Sequence, residues 1–369
     1  MTQHEIDWRF VSADSHVVEP RDLFVERASS KFKDRVPRIV SDIDCDYLEI
    51  EGLERRPIGI EGAMINSKKN REVVTNFDHR YEENRPGATD AVRRLDDQLS
   101  DNVEAEVVYP WIGLLAAKIA DIGLKAETFR IYNDWLAEEF VATAPDRIVG
   151  AALLPLGGDI ELAIAEAERT AAMGLRTFQL PAVVPGHPYE DPYFEPLWSA
   201  LEDIGAPVSF HSGSGEDAFD YPFVSAAVTL PIKMKLHQVL SQIVFGGIAD
   251  RHPDLRIVLV ESGLGWIASA VTYMDHWWSD HRAWLDPELS LPPSEYVHRQ
   301  VWATFEDDRA GILTMPMLNV DHVMWGNDYP HTEGLWPDSR NELAKVLDGL
   351  SHEDQKKVTR TNAQRLYGL

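Results

Sequence analysis

The chain is poor in several features that would assign it to other classes of protein. Cys45 is the single cysteine among 369 residues, which excludes an internal disulfide framework and fits the reducing cytoplasm. No stretch approaches the roughly 20 uninterrupted apolar residues that a membrane span needs, and Met1–Asp7 is not a basic region followed by an apolar segment, so we expect no secretory signal. Lysines and arginines number 35 against 61 aspartates and glutamates, and the net charge of −26 argues against nucleic acid and anionic membranes as partners.

Eight short apolar segments are present, and helical patterns separate most of them. Glu161–Met173 carries apolar residues at helical spacing and stops at Gly174, and Asp191–Ile204 does the same and stops at Gly205. Strands that alternate with helices predict a parallel sheet, and eight of them predict an α/β fold of the (β/α)8 TIM-barrel type. An open doubly wound sheet is the alternative, but no glycine-rich phosphate loop follows the first strand. The predicted strands are Phe10–Val17, Ala105–Tyr109, Ile148–Leu154, Leu175–Leu180, Pro207–His211, Ile257–Glu261, Val301–Phe305 and Val323–Trp325.

The part of the chain between about residues 22 and 98 does not follow this alternation. Cys45–Leu53 alternates like a strand and meets a turn signal at Glu51-Gly52. Arg85-Pro86-Gly87 then marks a loop before the helix-like Asp90–Ser100. We therefore expect one domain over residues 1–369, with an insertion after the first strand that serves as a lid or pocket wall at the rim of the barrel.

Four predicted strands end in side chains that can bind a metal or exchange a proton. Asp14 and His16 lie two residues apart and so point to the same side of the first strand. His211, Glu261 and Asp328 end three further apolar segments. Because the carboxyl ends of barrel strands form one rim, these side chains are expected to meet in a single polar site.

The residue types favour one divalent cation at this site. Two imidazoles and two carboxylates suit Zn²⁺, Mn²⁺ or Fe²⁺, and no thiolate is available for a softer metal. An open coordination position would let the ion polarise a substrate oxygen or lower the pKa of bound water. Asp328 and Glu261 are the candidate acid/base groups, although Glu261 could instead form a salt bridge or cap the Ser262-Gly263 turn. No organic cofactor is expected. The candidate metal ligands are Asp14, His16, His211 and Asp328.

Several further side chains are candidates for lesser roles. His331 could bind a substrate carboxylate, support a metal ligand or pack a loop. Arg80 and Arg85 of the insertion are candidates to clamp an anionic substrate, since arginine suits bidentate carboxylate recognition. His237 lies on a predicted helix and is expected to be structural unless a second metal binds.

An aromatic stripe runs through the segment that follows Gly265. Its members recur at roughly helical spacing, a pattern typical of core or of a subunit contact. Because a barrel already has its own core, the contact between subunits is the more informative of these interpretations, and we expect a homodimer or higher oligomer. A tryptophan that faces the substrate at the rim is the remaining alternative. The stripe consists of Trp266, Tyr273, Trp277 and Trp284.

The chain resembles the amidohydrolase superfamily, specifically the amidohydrolase-related branch that contains the aminocarboxymuconate-semialdehyde decarboxylase-like enzymes. The motifs that carry this resemblance run from end to end of the chain. They are Ala13–Pro20, Phe210-His211, Phe245–Gly263, Trp325–His331 and Thr361–Tyr367.

The resemblance implies that His16, His211 and Asp328 are metal ligands. Asp14 stands where the family's His-x-His pattern has its first histidine, and some decarboxylases of the branch have an acidic residue there. Glu261 stands where similar decarboxylases often have a histidine that helps to activate water. Thr177–Ala182 contains no lysine, so the carboxylated-lysine bridge of the binuclear hydrolases is not available.

These patterns favour a non-oxidative decarboxylase of a small aromatic or unsaturated carboxylic acid. A metal-dependent hydrolase, with Glu261 or Asp328 as general base, is the first alternative. A non-haem iron oxygenase on the same barrel is the second, with Glu261, His237 or His331 helping to hold a second ion. The third is a non-catalytic subunit whose aromatic stripe binds a partner.

Overall fold

Eight parallel strands dominate the computed structural model, which describes residues 6–61, 79–215, 226–331 and 334–369. Their order in the sheet is β1-β5-β6-β7-β8-β9-β10-β11, and a separate sheet contains β2, β3 and β4. In chain order, β1 to β11 are Phe10–His16, Arg38–Ser41, Asp46–Glu49, Arg56–Pro57, Val103–Tyr109, Ile148–Leu153, Thr177–Pro181, Val208–His211, Ile257–Val260, Val301–Phe305 and Val323–Trp325.

Backbone contacts between the first strand and the segment after the last strand bring the sheet close to a closed barrel. The His16 amide donates to the carbonyl of Tyr329 at 2.6 Å, and the Asp328 amide donates to the carbonyl of Asp14 at 3.0 Å. Ser15 and Tyr329 also form a parallel bridge. The predicted (β/α)8 barrel is therefore confirmed, and the closing contacts lie at the residues that carry the candidate ligands.

The observed strands match the eight predicted ones to within two residues at each end. Helices α1 to α15 are, in chain order, Leu23–Arg27, Ile58–Glu61, Ala91–Ser100, Ile112–Ala116, Ile122–Trp135, Ile160–Ala172, Glu195–Ile204, Ala226–Phe245, Ile248–Arg251, Gly265–His281, Pro293–Gln300, Arg309–Thr314, Ser339–Val346, His352–Lys356 and Asn362–Tyr367. Gly174 and Gly205, which follow α6 and α7, adopt φ values of 92° and 71°, a left-handed conformation that ends a helix and that glycine adopts without strain.

Two apolar layers hold the barrel together. The larger lies between the strands and the surrounding helices, where residues such as Phe10, Phe178 and Leu201 are fully buried. The smaller fills the barrel interior, with Val11 and Val107 among its members, and residues of the last helix pack against it. The part of the chain described contains no helix that is long and apolar enough to span a membrane.

The insertion after β1 contains an antiparallel sheet and the helix α3. The expected strand within Cys45–Leu53 is observed as Asp46–Glu49, which pairs with β2 and β4. Asp90 caps α3 by accepting hydrogen bonds from two backbone amides of the first turn. Tyr329 donates from Oη to Asp97 of α3 at 2.6 Å, which joins the insertion to the segment after β11. Residues 62–78 of the expected insertion lie outside the described part of the chain, and its role as a lid remains a prediction.

Candidate active site

The four predicted ligands converge at the carboxyl ends of β1, β8 and β11. The Nε2 atoms of His16 and His211 lie 3.1 Å apart. Asp14 Oδ1 lies 3.5 Å from His211 Nε2, and Asp328 Oδ1 lies 3.4 Å from His16 Nε2. All four side chains are buried. Residues from distant parts of the chain therefore meet because parallel strands deliver them to one rim.

The hydrogen bonds of the two imidazoles direct their Nε2 lone pairs toward this meeting point. His211 Nδ1 lies 2.7 Å from the carbonyl oxygen of Ser212, and His16 Nδ1 lies 3.3 Å from that of Pro110. A proton on each Nδ1 leaves each Nε2 as an acceptor, and two facing acceptors need a proton or a cation between them. Two nitrogens that each lie about 2.1 Å from one ion can be separated by this distance.

Asp14 gives a second indication of a cation. Neither of its carboxylate oxygens accepts a hydrogen bond from the residues described. Burial raises the pKa of this carboxyl above its usual value, because a buried carboxylate loses its hydration. A buried anion of this kind is stabilised when a cation lies beside it. The donor set of two imidazoles and two carboxylates thus fits one divalent ion.

The charge on His211 leads to the same conclusion. Burial by itself lowers the pKa of a histidine, but the carboxylates of Asp14 and Glu261 raise the pKa of His211 to about 9. The surrounding carboxylates therefore attract positive charge to the point where the two Nε2 atoms meet. By contrast, burial lowers the pKa of His16 well below its usual value and keeps that ring neutral.

Asp328 and His331 form a pair at the edge of the cluster. His331 Nδ1 lies 2.9 Å from Asp328 Oδ1, and its ring lies against the ring of His16, with centroids 4.1 Å apart. The Asp328 side chain is fully buried, whereas 21% of the His331 side chain is exposed. The pair therefore connects the buried cluster with the outside.

Glu261 contacts the far side of His211 and not the face that carries Nε2. Its Oε2 accepts a hydrogen bond from Ser212 Oγ at 2.8 Å and lies 3.6 Å from His211 Nδ1. Its Oε1 lies 3.3 Å from Lys233 Nζ. Burial alone would raise the pKa of Glu261, but Lys233 and His211 lower it below its usual value. Glu261 is thus held ionised by its neighbours and forms the salt bridge that was one of its expected alternatives.

The backbone is strained at the two acidic residues that follow β9 and β11. Glu261 and Asp328 have φ values of 53° and 51°, in the left-handed region that residues with a Cβ rarely occupy. Such conformations persist only where surrounding contacts impose them, and they cluster at functional sites. The two acidic side chains are accordingly placed by enforced backbone conformations, Glu261 directly after β9 and Asp328 three residues after β11.

Two neighbours of the site were not found by the sequence reasoning. Glu306 directly follows β10, and its carboxylate lies within 4.8 Å of those of Glu261 and Asp328. Its place at a strand end is the signal that could have identified it. Lys233 lies on α8 and contacts both Glu261 and Glu306, but no motif in the sequence singles it out.

The two arginines of the insertion do not contact the cluster through their described interactions. Arg80 pairs with Asp46 and binds two backbone carbonyls of the insertion. Arg85 pairs with Asp97 and lies 4.2 Å from the ring centroid of Trp336. These contacts give no support to the expected role in clamping a substrate.

His237 also has a structural environment. Its Nδ1 lies 3.0 Å from the carbonyl oxygen of Met234, and its ring packs on that of Trp266 with centroids 3.9 Å apart. The groups of described residues that could hold a metal do not include it. These contacts agree with the structural role expected for this histidine.

The (β/α)8 barrel carries, at one rim, a cluster of imidazole and carboxylate side chains that forms a candidate metal-binding site. Residues 82–369 match the family model described as Amidohydrolase. The chain therefore belongs to the amidohydrolase family, as its motifs indicated.

Two relatives of known sequence are named as decarboxylases. Gamma-resorcylate decarboxylase of Rhodococcus jostii is 28% identical over 267 residues, which cover 64% of this chain and 75% of that protein. The 2-amino-3-carboxymuconate-6-semialdehyde decarboxylase of Dictyostelium discoideum is 25% identical over 243 residues, which cover 64% of this chain and 63% of that protein. These matches confirm the expected branch of the superfamily.

Solved structures share the fold over nearly the whole chain. An amidohydrolase of Mycobacterium avium subsp. paratuberculosis aligns with a TM-score of 0.79 and 23% identity over 98% of both chains. The 5-carboxyvanillate decarboxylase of Novosphingobium aromaticivorans, in complex with manganese and 4-hydroxy-3-methoxy-5-nitrobenzoic acid, aligns with a TM-score of 0.71 and 17% identity over 100% of both chains. At these identities the likeness supports the fold alone.

Proposed function

We propose that this chain is a metal-dependent, non-oxidative decarboxylase of a small aromatic or unsaturated carboxylic acid. The observation that carries the proposal is the buried convergence of Asp14, His16, His211 and Asp328, with Asp328 paired to His331. The activities of the two relatives named above support the reaction type.

Asp14, His16, His211 and Asp328 would hold the divalent ion. When bound, such an ion supplies Lewis-acid stabilisation of negative charge on substrate oxygens. The four side chains are buried, and electrostatic interactions among buried groups are stronger than the same interactions in water.

Asp328 is the proposed proton donor. Its proton passes to the substrate carbon that carries the carboxylate, and the bond from that carbon to the carboxylate then breaks. The electron pair of this bond returns to the unsaturated system of the substrate, and CO₂ leaves. Asp328 recovers its proton from solvent through His331, which is hydrogen-bonded to it and partly exposed. The cycle exchanges the carboxylate for a hydrogen and consumes one proton.

Glu261 is the proposed positioning residue for His211. Its carboxylate lies against His211 Nδ1 and accepts a hydrogen bond from Ser212, so it fixes the ring that presents Nε2 to the cluster. A carboxylate in this position also makes the imidazole a stronger ligand. This arrangement supports positioning over the general-base role that the sequence left open.

The test is a turnover screen of the purified chain loaded with Mn²⁺ or Zn²⁺. Hydroxybenzoic acids and unsaturated carboxylic acids are assayed for CO₂ release, beside esters, lactones and amides assayed for hydrolysis and a parallel measurement of oxygen consumption. We expect CO₂ release without oxygen consumption. Hydrolysis alone, or turnover that requires oxygen, would replace the proposal by the corresponding alternative. The absence of turnover together with a tightly bound second protein would favour a non-catalytic subunit.

Asp328→Asn tests the proton donor in the same screen. We expect it to lower kcat at least 100-fold, within the roughly 10²–10⁴-fold range for loss of an acid/base group. Asp203→Asn, at an exposed position on α7, is the matched control and should keep full activity. Metal content is measured for both variants, because an Asp328→Asn protein that keeps its metal and most of its activity would refute the assigned role.

Metal identity and assembly are further parts of the proposal. Manganese is bound in the related 5-carboxyvanillate decarboxylase, which supports Mn²⁺ as the first ion to test here. Tyr273 and Trp284, which belong to the aromatic stripe, are 66% and 82% exposed, which supports self-association through this face. Sedimentation velocity of the wild-type chain and of Trp284→Ala would test the homo-oligomer. The single cysteine keeps the cytoplasm as the expected location.

A further inference from the structure

A second group of carboxylates adjoins the four proposed metal ligands. Carboxylate oxygens of Glu261, Glu306 and Asp328 lie within 4.8 Å of one another, a spacing that oxygens around a single ion can have. Asp328 belongs to both groups, because its Oδ1 also lies 3.4 Å from His16 Nε2. Three carboxylates form a donor set that suits Mg²⁺, Ca²⁺ or Mn²⁺. This group therefore has the composition of a second cation site that shares one ligand with the first.

The ammonium group of Lys233 already lies at this second group. Its Nζ lies 3.3 Å from Glu261 Oε1 and 3.8 Å from Glu306 Oε1. The other carboxylate oxygen of Glu261, Oε2, accepts a hydrogen bond from Ser212 Oγ at 2.8 Å and lies 3.6 Å from His211 Nδ1. Lys233 thus contacts the oxygen of Glu261 that a second ion would need as a ligand.

The two sides of the site differ in how their buried carboxylates are balanced. Within the described part of the chain, the ion pairs of Asp14 are with imidazoles, at 3.8 Å from His16 Nε2 and 3.5 Å from His211 Nε2. The two glutamates, whose side chains are 10% and 14% exposed, pair in addition with the ammonium of a lysine. A buried carboxylate is stabilised by a cation beside it. The fold itself therefore supplies a cation to the glutamates, whereas the side with the two imidazoles is the one that fits a metal.

We propose that Lys233 limits the active site to one divalent ion by occupying the position of a second. The inference rests on the proposed function, in which the four ligands hold one metal. An ion at the glutamates would have to displace the ammonium and would also be repelled by its charge. Lys233 is thereby a determinant of metal stoichiometry and contacts neither the substrate nor the first ion.

Exclusion of a second ion would keep Asp328 available for its proposed role. Two ions that share a ligand in one site lie about 3.5–4 Å apart. An Asp328 carboxylate that bridged two such ions would have both oxygens in use as metal ligands. Neither oxygen could then carry the proton that the proposed reaction transfers to the substrate. Lys233 would therefore preserve the acid by holding the neighbouring glutamates itself.

Metal stoichiometry of Lys233 variants is the first test. The wild-type chain and Lys233→Met are saturated with Mn²⁺, freed of unbound ion by gel filtration and analysed for manganese per chain. We expect one equivalent in wild type and two in Lys233→Met. Lys233→Arg should bind one, since it restores the charge. Lys235→Met, two residues further along α8 and exposed, is the matched control and should bind one.

The position of the additional ion is tested by electron paramagnetic resonance and by a double variant. Wild type should give the spectrum of an isolated Mn²⁺ ion, and Lys233→Met the spectrum of two spin-coupled ions, because ions that share a ligand lie about 3.5–4 Å apart. Adding Glu306→Gln to Lys233→Met should return the content to one equivalent, since Glu306 is a ligand of the second group alone. Two uncoupled ions in Lys233→Met would overturn the inference.

Melting temperature is measured for each variant, and Lys233→Gln replaces Lys233→Met if the latter does not fold. A purely structural lysine would lower the melting temperature without raising the metal content. That result would overturn the inference and leave the proposed function intact, as would two equivalents of Mn²⁺ in wild type.

The same titration separates failure of this inference from failure of the proposed function. Wild type without bound Mn²⁺, beside a Lys233→Met chain that binds one ion and loses it with Glu306→Gln, would support the role of Lys233 and refute the metal site of the proposed function. No bound Mn²⁺ in either chain would refute both.

Discussion

His16 Nε2 and His211 Nε2 lie 3.1 Å apart although the two residues are separated by 195 positions in the chain. One ends β1 and the other ends β8, and a nearly closed sheet brings both to the same rim. Each ring is fixed from behind by a backbone carbonyl at Nδ1, so that the nitrogens facing each other are acceptors. Two acceptors that face each other at a buried position require a proton or a cation between them. The fold of the barrel thus creates the need for a positive charge at the candidate metal site.

Replacement of either histidine should abolish metal binding. We expect His211→Ala and His16→Ala to lower the metal content of the purified protein at least 10-fold, because each removes a nitrogen ligand from a buried site. Elemental analysis per chain is the measurement, with circular dichroism to show that the fold is kept. His276→Ala is the control, since the side chain of His276 is 74% exposed. A full equivalent of metal in His211→Ala would show that the ion binds elsewhere.

Removal of the metal should lower the stability of the folded chain. A ligand that binds only the folded state contributes about 2.7 kcal/mol when its free concentration is 100 times its dissociation constant. We therefore expect dialysis against a chelator to lower the melting temperature and Mn²⁺ or Zn²⁺ to restore it, as followed by scanning calorimetry. The His211→Ala chain should show neither response. Equal melting temperatures for the treated and untreated wild-type chain would argue against a metal at this site.

The strands and most of the site could be predicted from the sequence because their signals are local. Apolar runs define the strands, and a polar residue at the end of each run identifies the rim. A search for polar residues at the ends of apolar runs would also identify Glu306, which directly follows the predicted strand Val301–Phe305. The same search would not identify Lys233, because this side chain belongs to a helix and its position depends on how α8 packs over the barrel.

The fate of the two arginines shows a second limit of sequence reasoning. Arg80 and Arg85 have the charge that a substrate clamp needs, but the partner of a charged side chain is set by tertiary structure. The insertion places Asp46 beside Arg80 and Asp97 beside Arg85. Nothing local in the sequence distinguishes an arginine that forms an ion pair within the protein from one that is available to bind a substrate.

Arg94 should support the site through a buried ion pair. It donates to both carboxylate oxygens of Glu106, at 2.7 and 2.9 Å, and to the carbonyl of His16 at 2.7 Å. Arg94→Met leaves the Glu106 carboxylate buried without this partner, which typically costs about 3–5 kcal/mol. We expect a loss of this size in urea unfolding, together with weaker metal binding because His16 loses a backbone contact. Arg93→Met, at the exposed neighbouring position, should change neither quantity. A stable Arg94→Met protein with normal metal affinity would contradict this role.

Glu19 should make stability fall as the pH rises through neutrality. It is buried and accepts hydrogen bonds from the amides of Ile112 and Gly113, and burial raises its pKa from 4.5 to about 7. Between pH 4.5 and pH 7 the Glu19 carboxyl is ionised in the unfolded chain but still protonated in the folded chain. The contribution of Glu19 to the free energy of unfolding is therefore complete below pH 4.5 and is lost as the pH rises through 7. We expect the free energy of unfolding of wild type, relative to that of Glu19→Gln, to fall by about 3 kcal/mol between pH 4 and pH 8, as measured by urea titration. Glu26→Gln, at an exposed position, should leave the wild-type pH dependence unchanged. Parallel pH profiles for wild type and Glu19→Gln would show that Glu19 titrates alike in the folded and unfolded chains.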